Sequence, residues 1–525
     1  MPQPAVTDIG SPPSPARSQA WSALALLAFI NLLNYLDRNV IFALFEPLKR
    51  DLSLTDTQLG WLGSAYILVF SFAALPFGVI SDLKSRRAVI AGGVALWSMF
   101  TFLGGLVRSY WQLFVCRAAV GIGEAAYGPA ASSMVADYFP GRDRAIAMGI
   151  LAAGIPVGGV LGLLLGGWLE SLYGWRVAFM AVGLPGFICA MAVSRLVDPT
   201  RTAQPLTIRS FAREMHFGMR GFLRQLMPLL ALTVLGGIAA WFLTERFGAT
   251  SAIDTVVLAS AIGIGMALTI WRWVRLVRTN RRAETPFTVE LENAFDDLVR
   301  AGHTVLATPT LVYIFVAGAL ISFGMNGLVG WGPTFMSREF NLSAGSAAAL
   351  LGKWGLLSGV LGALAGGVIA DVLRRWTDRG RVITVAAGFL IGGPIAIWLM
   401  TIRDLDLFVP VFALAFFILS WYNGPLTAVI FDVVPARIGA TVGGAYLLFI
   451  HLAGDAIAFP LVGMLSDRFG LDRAVMVLPI VSLLGGIVIL GAMRTVGRDM
   501  RRVLIVTGEM STASGAASGS GSGSG

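Results

Sequence analysis

Seven ionisable residues lie in stretches too apolar to hold them casually: Asp37, Arg38, Arg117, Glu124, Lys353, His451 and Asp455. An ionised side chain at the bilayer centre costs about 2.5–3.5 kcal/mol unless paired or hydrated, so such residues mark proton relays or substrate contacts. Arg117 and Glu124 are seven apart, two turns along one helical face. Helical rise places Asp37 roughly 25 Å from the cytoplasmic end of its span, between Glu124 at roughly 21 Å and Arg117 at roughly 31 Å on another. An aspartate so placed can exchange between cation and carboxylate. Withdrawing the arginine favours proton uptake and returning it favours release, which makes a proton switch; a static ion pair that fixes helix packing is the alternative.

His451 and Asp455 are four apart and share a face, and histidine titrates near physiological pH, so this pair is a candidate second proton site. A packed histidine closing the outer end of a cavity is the other reading. Lys353, with Arg38 or Arg117, suits an anionic headgroup, unless it snorkels to the nearby surface. Asn326 and Asn423, with Tyr66, Tyr127, Trp331 and Tyr422, can line a cavity with hydrogen-bonding groups and aromatic walls.

The elements that hold these residues follow from composition. Of 525 residues, 56% are hydrophobic and 13% charged, too few polar groups to cover a water-facing surface. That excludes an ordinary soluble enzyme, a nucleic-acid binder and a disulfide scaffold. The net charge of +9 is spread over loops, and Cys116 and Cys189 lie inside apolar segments as small core hydrophobes. At roughly 20 apolar residues per span, the sequence predicts fourteen: 20–45, 57–81, 88–107, 111–137, 145–169 and 175–196; then 226–247 and 253–274; then 311–336, 344–371, 382–402, 407–434, 438–465 and 474–494. Most of the 39 Lys and Arg fall on the side shared by both termini, which the charge-bias rule makes cytoplasmic.

The expected organisation is a cytoplasmic N-terminus (1–19), a six-helix bundle (20–196), a linker with interfacial helices and two extra spans (197–310), a second six-helix bundle (311–496), and a cytoplasmic tail (497–525) ending in an added Ser/Gly linker. In the inserted segment, Arg209, Arg213, Arg220 and Arg224 share one helical face, and residues 290–300 read as a polar amphipathic stretch. The two bundles carry a repeat. Asp137-Tyr-Phe-Pro140-Gly-Arg142 matches Asp432-Val-Val-Pro435-Ala-Arg437, and Gly78-Val-Ile-Ser-Asp82 with Arg86 and Arg87 matches Gly367-Val-Ile-Ala-Asp371 with Arg374 and Arg375. Parallel repeats around a central cavity are implied.

Gly78-Val-Ile-Ser-Asp-Leu-Lys-Ser-Arg-Arg87 resembles the loop signature of the major facilitator superfamily, and Arg117-Ala-Ala-Val-Gly-Ile-Gly-Glu124 its fourth-helix arginine motif. Within it the chain most resembles the Spinster family, through Arg117 to Pro129, Asp137-Tyr-Phe-Pro140, the Asp37-Arg38 pair, and His451-Leu-Ala-Gly-Asp455 onward to Ser466-Asp467. The insert lies outside the resemblance, since such relatives are typically twelve-span. The fold it implies is all-α, a polytopic major facilitator fold of two six-helix bundles with two extra helices between them.

The implied function is proton-coupled, alternating-access transport of an amphiphilic lipid, a lysophospholipid or a sphingosine-phosphate-like molecule. Proton coupling then falls to Asp37, Arg117, Glu124, His451 and Asp455. Substrate binding falls to Arg38, Arg117, Lys353, Tyr127, Asn326, Trp331 and Asn423. A transporter of small organic anions or drugs, and a lipid-binding sensor without transport, are the alternatives. Ion pairs among Asp82, Arg86, Arg87, Asp137, Arg142, Asp371, Arg374, Asp432 and Arg437 are expected to gate the cytoplasmic side. The remaining expectations are a monomer in the cell's inner membrane, with the bilayer, protons and the lipid as partners, and with no nucleic acid, metal or cofactor. Gly352-Lys353 is followed by Trp354 inside a span and makes no phosphate-binding loop; no nucleophile elbow or zinc motif appears, so an enzyme is not expected.

Overall fold

The computed structural model describes residues 17–83, 85–140, 143–197 and 294–503 and, between 220 and 279, residues 220, 224–229, 231–232, 234–239, 242–243, 246 and 251–279. Its elements are α1 (Arg17–Ala43), α2 (Phe45–Leu52), α3 (Asp56–Leu83), α4 (Arg86–Gly104), α5 (Tyr110–Tyr138), α6 (Asp143–Tyr173), α7 (Trp175–Ser194), α8 (Ser251–Thr279), α9 (Ala294–Ala307), α10 (Pro309–Glu339), α11 (Ala344–Trp376), α12 (Gly380–Leu399), α13 (Leu405–Leu419), α14 (Asn423–Asp432), α15 (Ala436–Ile450), α16 (Ala456–Phe469), α17 (Leu471–Ala474) and α18 (Val477–Ile489). A 3-10 turn, Ser420–Tyr422, joins α13 to α14, and a π turn, His451–Asp455, joins α15 to α16. Among the described residues there is no strand, as expected where hydrocarbon obliges backbone groups to pair within their own segment.

Among the described residues, eleven helical stretches are long and apolar enough to cross a membrane, broadly consistent with the expected fourteen. Helix α5, which carries Arg117, Glu124 and Asp137, and helix α8 lie beyond those eleven. The interfacial helix expected near Arg209 and Arg213, most of the 290–300 stretch and the Ser/Gly tail fall outside the described residues. So do Arg142 and the side chains of Asp82 and Arg437.

The chain divides into two compact units. The first comprises 1–207, 313–429 and 448–494; the second comprises 208–312, 430–447 and 495–525. In the second, α8 packs against α9. Asp499 caps the start of α10, accepting from the Thr310 amide at 3.1 Å and its hydroxyl at 2.7 Å. In the first unit, α1 packs along α6, α3 between α5 and α16, α4 against α5 and α7, and α11 against α6, α12 and α13.

Small residues set these distances. Gly154, Gly158, Gly162 and Gly166 turn one face of α6 toward α1, where a Cβ on Gly154 would meet the Leu32 nitrogen at 2.9 Å and one on Gly166 would meet Val40 Cγ2 at 2.8 Å. The stripe lets the two backbones nearly touch, and so fixes the height of Asp37 and Arg38 on α1. The repeated sequence frames occupy matching junctions, Asp137–Pro140 closing α5 and Asp432–Pro435 linking α14 to α15.

Candidate functional site: a buried charge network beside an apolar cavity

Helices α1 and α5 meet through two ion pairs. Arg117 Nη1 lies 3.4 Å from Asp37 Oδ1, and Arg38 Nη2 lies 3.2 Å from Glu124 Oε2. The side chains of Asp37, Arg117 and Glu124 are 0–3% exposed, so these charges share one interior site. The expected three-way exchange at Asp37 becomes two adjacent pairs, because consecutive residues on α1 point about 100° apart and each finds its own partner on α5.

Neighbouring helices complete the setting. The Thr101 hydroxyl on α4 donates to Asp37 Oδ2. The Arg38 guanidinium carbon lies 4.5 Å from the Tyr35 ring centroid, 4.8 Å from Tyr66 and 4.9 Å from Phe70, so aromatic faces take the place of water. The buried Tyr66 hydroxyl lies beside the Glu124 carboxyl.

A second network lies at the π turn, a local form that places a residue out of helical register. Asp455 accepts from His451 Nδ1 at 2.6 Å, from Asn326 Nδ2 at 2.9 Å and from the Ser322 hydroxyl. The two networks meet through α3, since Phe70 sets its ring edge-on to His451 with centroids 6.3 Å apart, while its other neighbours are Arg38 and Tyr66.

Beside these charges is a cavity of about 660 Å3, lined by α6, α10, α11, α13 and the Ser420–Gly424 turn. Asn326, Trp331 and Asn423 line it, as do Tyr422 and Asn39. Four expected substrate contacts lie elsewhere. Arg38 and Arg117 are engaged with carboxylates. Tyr127 is buried, with its hydroxyl donating to the Leu27 carbonyl at 2.5 Å. Lys353 is exposed on α11 with its ammonium 5.3 Å from the Trp354 ring centroid.

The expected gate residues fall as follows. Arg86 pairs with Asp137 across the ends of α4 and α5, Arg87 donates to the Leu196 carbonyl at 3.1 Å, and Asp371 lies 3.8 Å from Arg381. Each of these contacts stays within one bundle. Arg374 and Asp432 lie at the ends of α11 and α14.

Sequence reasoning missed the cluster at the distal end, where α3 begins, opposite the end of α3 that leads to Arg86. Arg338, near the end of α10, donates to Asp56 through Nη1 at 2.7 Å and Nη2 at 2.8 Å, and to Glu46 through Nε at 2.5 Å. Lys49 Nζ adds a bond to Asp56 at 2.6 Å and the Ser466 hydroxyl one at 2.5 Å. Asp467, from the second bundle, accepts from the Asp56 and Thr57 amides at 2.8 and 2.9 Å and from the Thr57 hydroxyl at 2.6 Å. It caps a helix of the other bundle and places an anion at its positive end. The bundles are thus clamped at this distal end. Nearby, hydrogen bonds from Arg176 and the Trp175 indole hold the Asp51 carboxyl below the usual carboxylate range.

The profile of the Major Facilitator Superfamily matches residues 27–454. The chain belongs to that superfamily. This facilitator is 28% identical over 450 residues to an MFS-type efflux pump of Mycolicibacterium smegmatis, covering 86% of this chain and 85% of the relative. It is 24% identical to protein spinster homolog 1 of Rattus norvegicus, covering 93% and 83%. Among solved structures it resembles a bacterial homolog of the human lysosomal transporter Spinster, in an inward-facing and unoccupied conformation, with TM-score 0.68 and 21% identity over 93% of this chain and 99% of that one. The facilitator fold and the Spinster resemblance expected from the motifs hold, and the protein is a multi-pass membrane transporter.

Proposed function

We propose that this facilitator is a proton-coupled, alternating-access transporter of amphiphilic lipids, of the lysophospholipid or sphingosine-phosphate type. It would work as a monomer in the inner membrane with both termini cytoplasmic. The observation that carries the reading is the adjacency of a large apolar cavity to carboxylates buried in ion pairs. The cavity offers a tail the burial of methylenes at about 0.8 kcal/mol each. The Asp37–Arg117 and Arg38–Glu124 pairs supply carboxylates whose proton affinity changes when the arginine moves, with His451 and Asp455 as a second site. Rocking of the two bundles, flanking the 197–310 linker, would break the distal clamp and close the opposite end through the motif charges.

The test is counter-transport of labelled lysolipid in proteoliposomes under a pH gradient. Asp37→Asn should bind substrate yet lose acceleration by the gradient; unaltered gradient dependence rejects Asp37 as the switch. Saturable binding without flux favours a sensor. A second reading has its own support: among the described residues no Asp, Glu, Lys, Arg or His lines the cavity, and a relative is named an efflux pump. Export of apolar drug-like molecules fits those two observations, and competition by such compounds without competition by lysolipid would favour it.

A further inference from the structure

Helix α8, in the segment between the two repeated bundles, is built with two faces. Toward its neighbour it is small and buried: a Cβ on Gly265 would meet the Leu229 Cα at 2.9 Å, and Thr269 is buried on the same side. The other face runs Ile264, Leu268, Trp271, Arg275 and Arg278, spacings of four, three, four and three residues that keep one side of a helix. All five are exposed. Along this face hydrocarbon side chains give way to an indole and then to guanidinium groups, the order in which a bilayer passes from acyl chain to interface to phosphate. Arg275 stands over the Trp271 ring, 5.3 Å from guanidinium carbon to centroid, which fixes ring and cation at one level. The neighbouring helix adds an exposed Arg224. It precedes Leu229 by five residues, and Arg272 follows Gly265 by seven, so in the antiparallel pair that the sequence predicts they lie about 7.5 and about 10.5 Å beyond the contact, toward the same end. No Asp or Glu occurs in 220–239 or 255–279.

We propose that this end of α8 is a binding site for an anionic phospholipid of the cytoplasmic leaflet, with a chain along Ile264 and Leu268 and the phosphate among Arg224, Arg272 and Arg278. Guanidinium forks match phosphate oxygens two at a time. A topology signal alone is met by arginines anywhere past the end of a span. Here the arginines continue an exposed apolar face, which an acyl chain uses and a free anion does not, and that commits the site to a lipid. The site is separate from the transport cavity, whose lining includes no residue of α8, so it stands or falls independently of the transported molecule.

The test offers the delipidated full chain, in detergent, equal amounts of palmitoyl-oleoyl phosphatidylglycerol and phosphatidylcholine, and counts retained lipid by native mass spectrometry. The two share their chains and differ in headgroup charge. Phosphatidylglycerol should be retained at least about fivefold over phosphatidylcholine, the share of one interfacial arginine. In the double variant Arg224→Gln with Arg278→Gln the preference should fall to within about twofold. Arg108→Gln with Arg473→Gln removes the same charge from two exposed arginines of the first compact unit and should leave the preference unchanged. Equal retention in the unmodified chain overturns the proposal. A preference that survives loss of Arg224 and Arg278 also overturns it, by placing the lipid elsewhere. A fall of equal size in the control pair overturns it too, by reducing the effect to net charge. Displacement by excess inorganic phosphate, but not by chloride at equal ionic strength, would mark a site for a free anion and overturn the lipid assignment. Should the double variant not fold, each single substitution carries the same prediction with a smaller loss.

Discussion

Replacing Arg338 with Gln should loosen the distal clamp by a predictable amount. The residue makes three charge-assisted bonds to the other bundle, two to Asp56 and one to Glu46. The Asp56 side chain is 3% exposed and that of Arg338 27%. An exposed ion pair is worth about 0.2–1 kcal/mol, and breaking a fully buried one costs about 3–5 kcal/mol. Arg338 lies between these limits, and Lys49 and Ser466 continue to hold Asp56, so about 2 kcal/mol of the closure is at stake. A closed-to-open ratio of about 99:1 would fall roughly 30-fold, to about 3:1. Spin labels at Thr55 and Arg468, exposed positions beside the clamp on opposite bundles, would report this as a new population of longer distances by electron–electron resonance. Arg403→Gln is the control, since Arg403 pairs with Glu339 at 2.6 Å within one bundle, and it should leave the distribution alone. An unchanged distribution in Arg338→Gln, in protein that keeps its thermal stability, would refute the clamp.

Other outcomes follow from single contacts. Thr101→Val removes the hydroxyl that holds Asp37 Oδ2 and should shift the pH profile of gradient-driven transport while leaving ligand affinity within about twofold; an unmoved profile would separate Thr101 from coupling. Lys353→Ala should leave the affinity for anionic amphiphiles unchanged relative to neutral ones, since Lys353 is exposed on α11 and is not among the cavity-lining residues; selective weakening of the anionic ones would put Lys353 on the binding path. Gly166→Leu drives a side chain into Val40 and should cost about 1–3 kcal/mol in unfolding measurements as α1 is forced off α6. Asp51→Asn should lower the unfolding temperature slightly at neutral pH and not at all in strong acid. The carboxylate's contribution is present above its unfolded titration range and is lost as pH falls through its lowered folded value.

The sequence disclosed what hydrocarbon makes expensive. Asp37, Arg38, Arg117, Glu124 and Asp455 stood out because a charge in a span needs a partner, and each is found with one. Which partner was less legible: helical depth put Asp37 between Arg117 and Glu124, yet depth says nothing about azimuth, and Arg38 takes the glutamate. Thr101 and Ser322 carried no signal, since a hydroxyl in a span can satisfy itself on its own helix. Tyr127 looked like a cavity wall, but its hydroxyl is spent on a backbone carbonyl. The distal clamp was invisible for the opposite reason. Glu46, Asp56, Arg338 and Asp467 sit at span ends, where charge costs little, and the bonds joining them cross 282 to 411 residues of chain.

Helix α3 joins the distal clamp to the buried charges. Its first amides are capped by Asp467. Two turns on, Ser64 donates to the Ala456 carbonyl at 2.8 Å, immediately after the π turn. Tyr66 and Phe70 then cover Arg38, and Phe70 meets His451. Gly60 makes this possible, for a Cβ there would lie 2.7 Å from Pro460 Cα, so α3 and α16 are held backbone to backbone. If the bundles part at the distal end, the cap and the Ser64 bond are strained first, at about 1 kcal/mol each, well below the several kcal/mol that occupant burial can supply. The next contacts along the same helix are the rings shielding Arg38 and touching His451. A packed helix moves as a body more readily than it stretches, so distal opening and exposure of the Arg38–Glu124 pair are coupled through α3 itself.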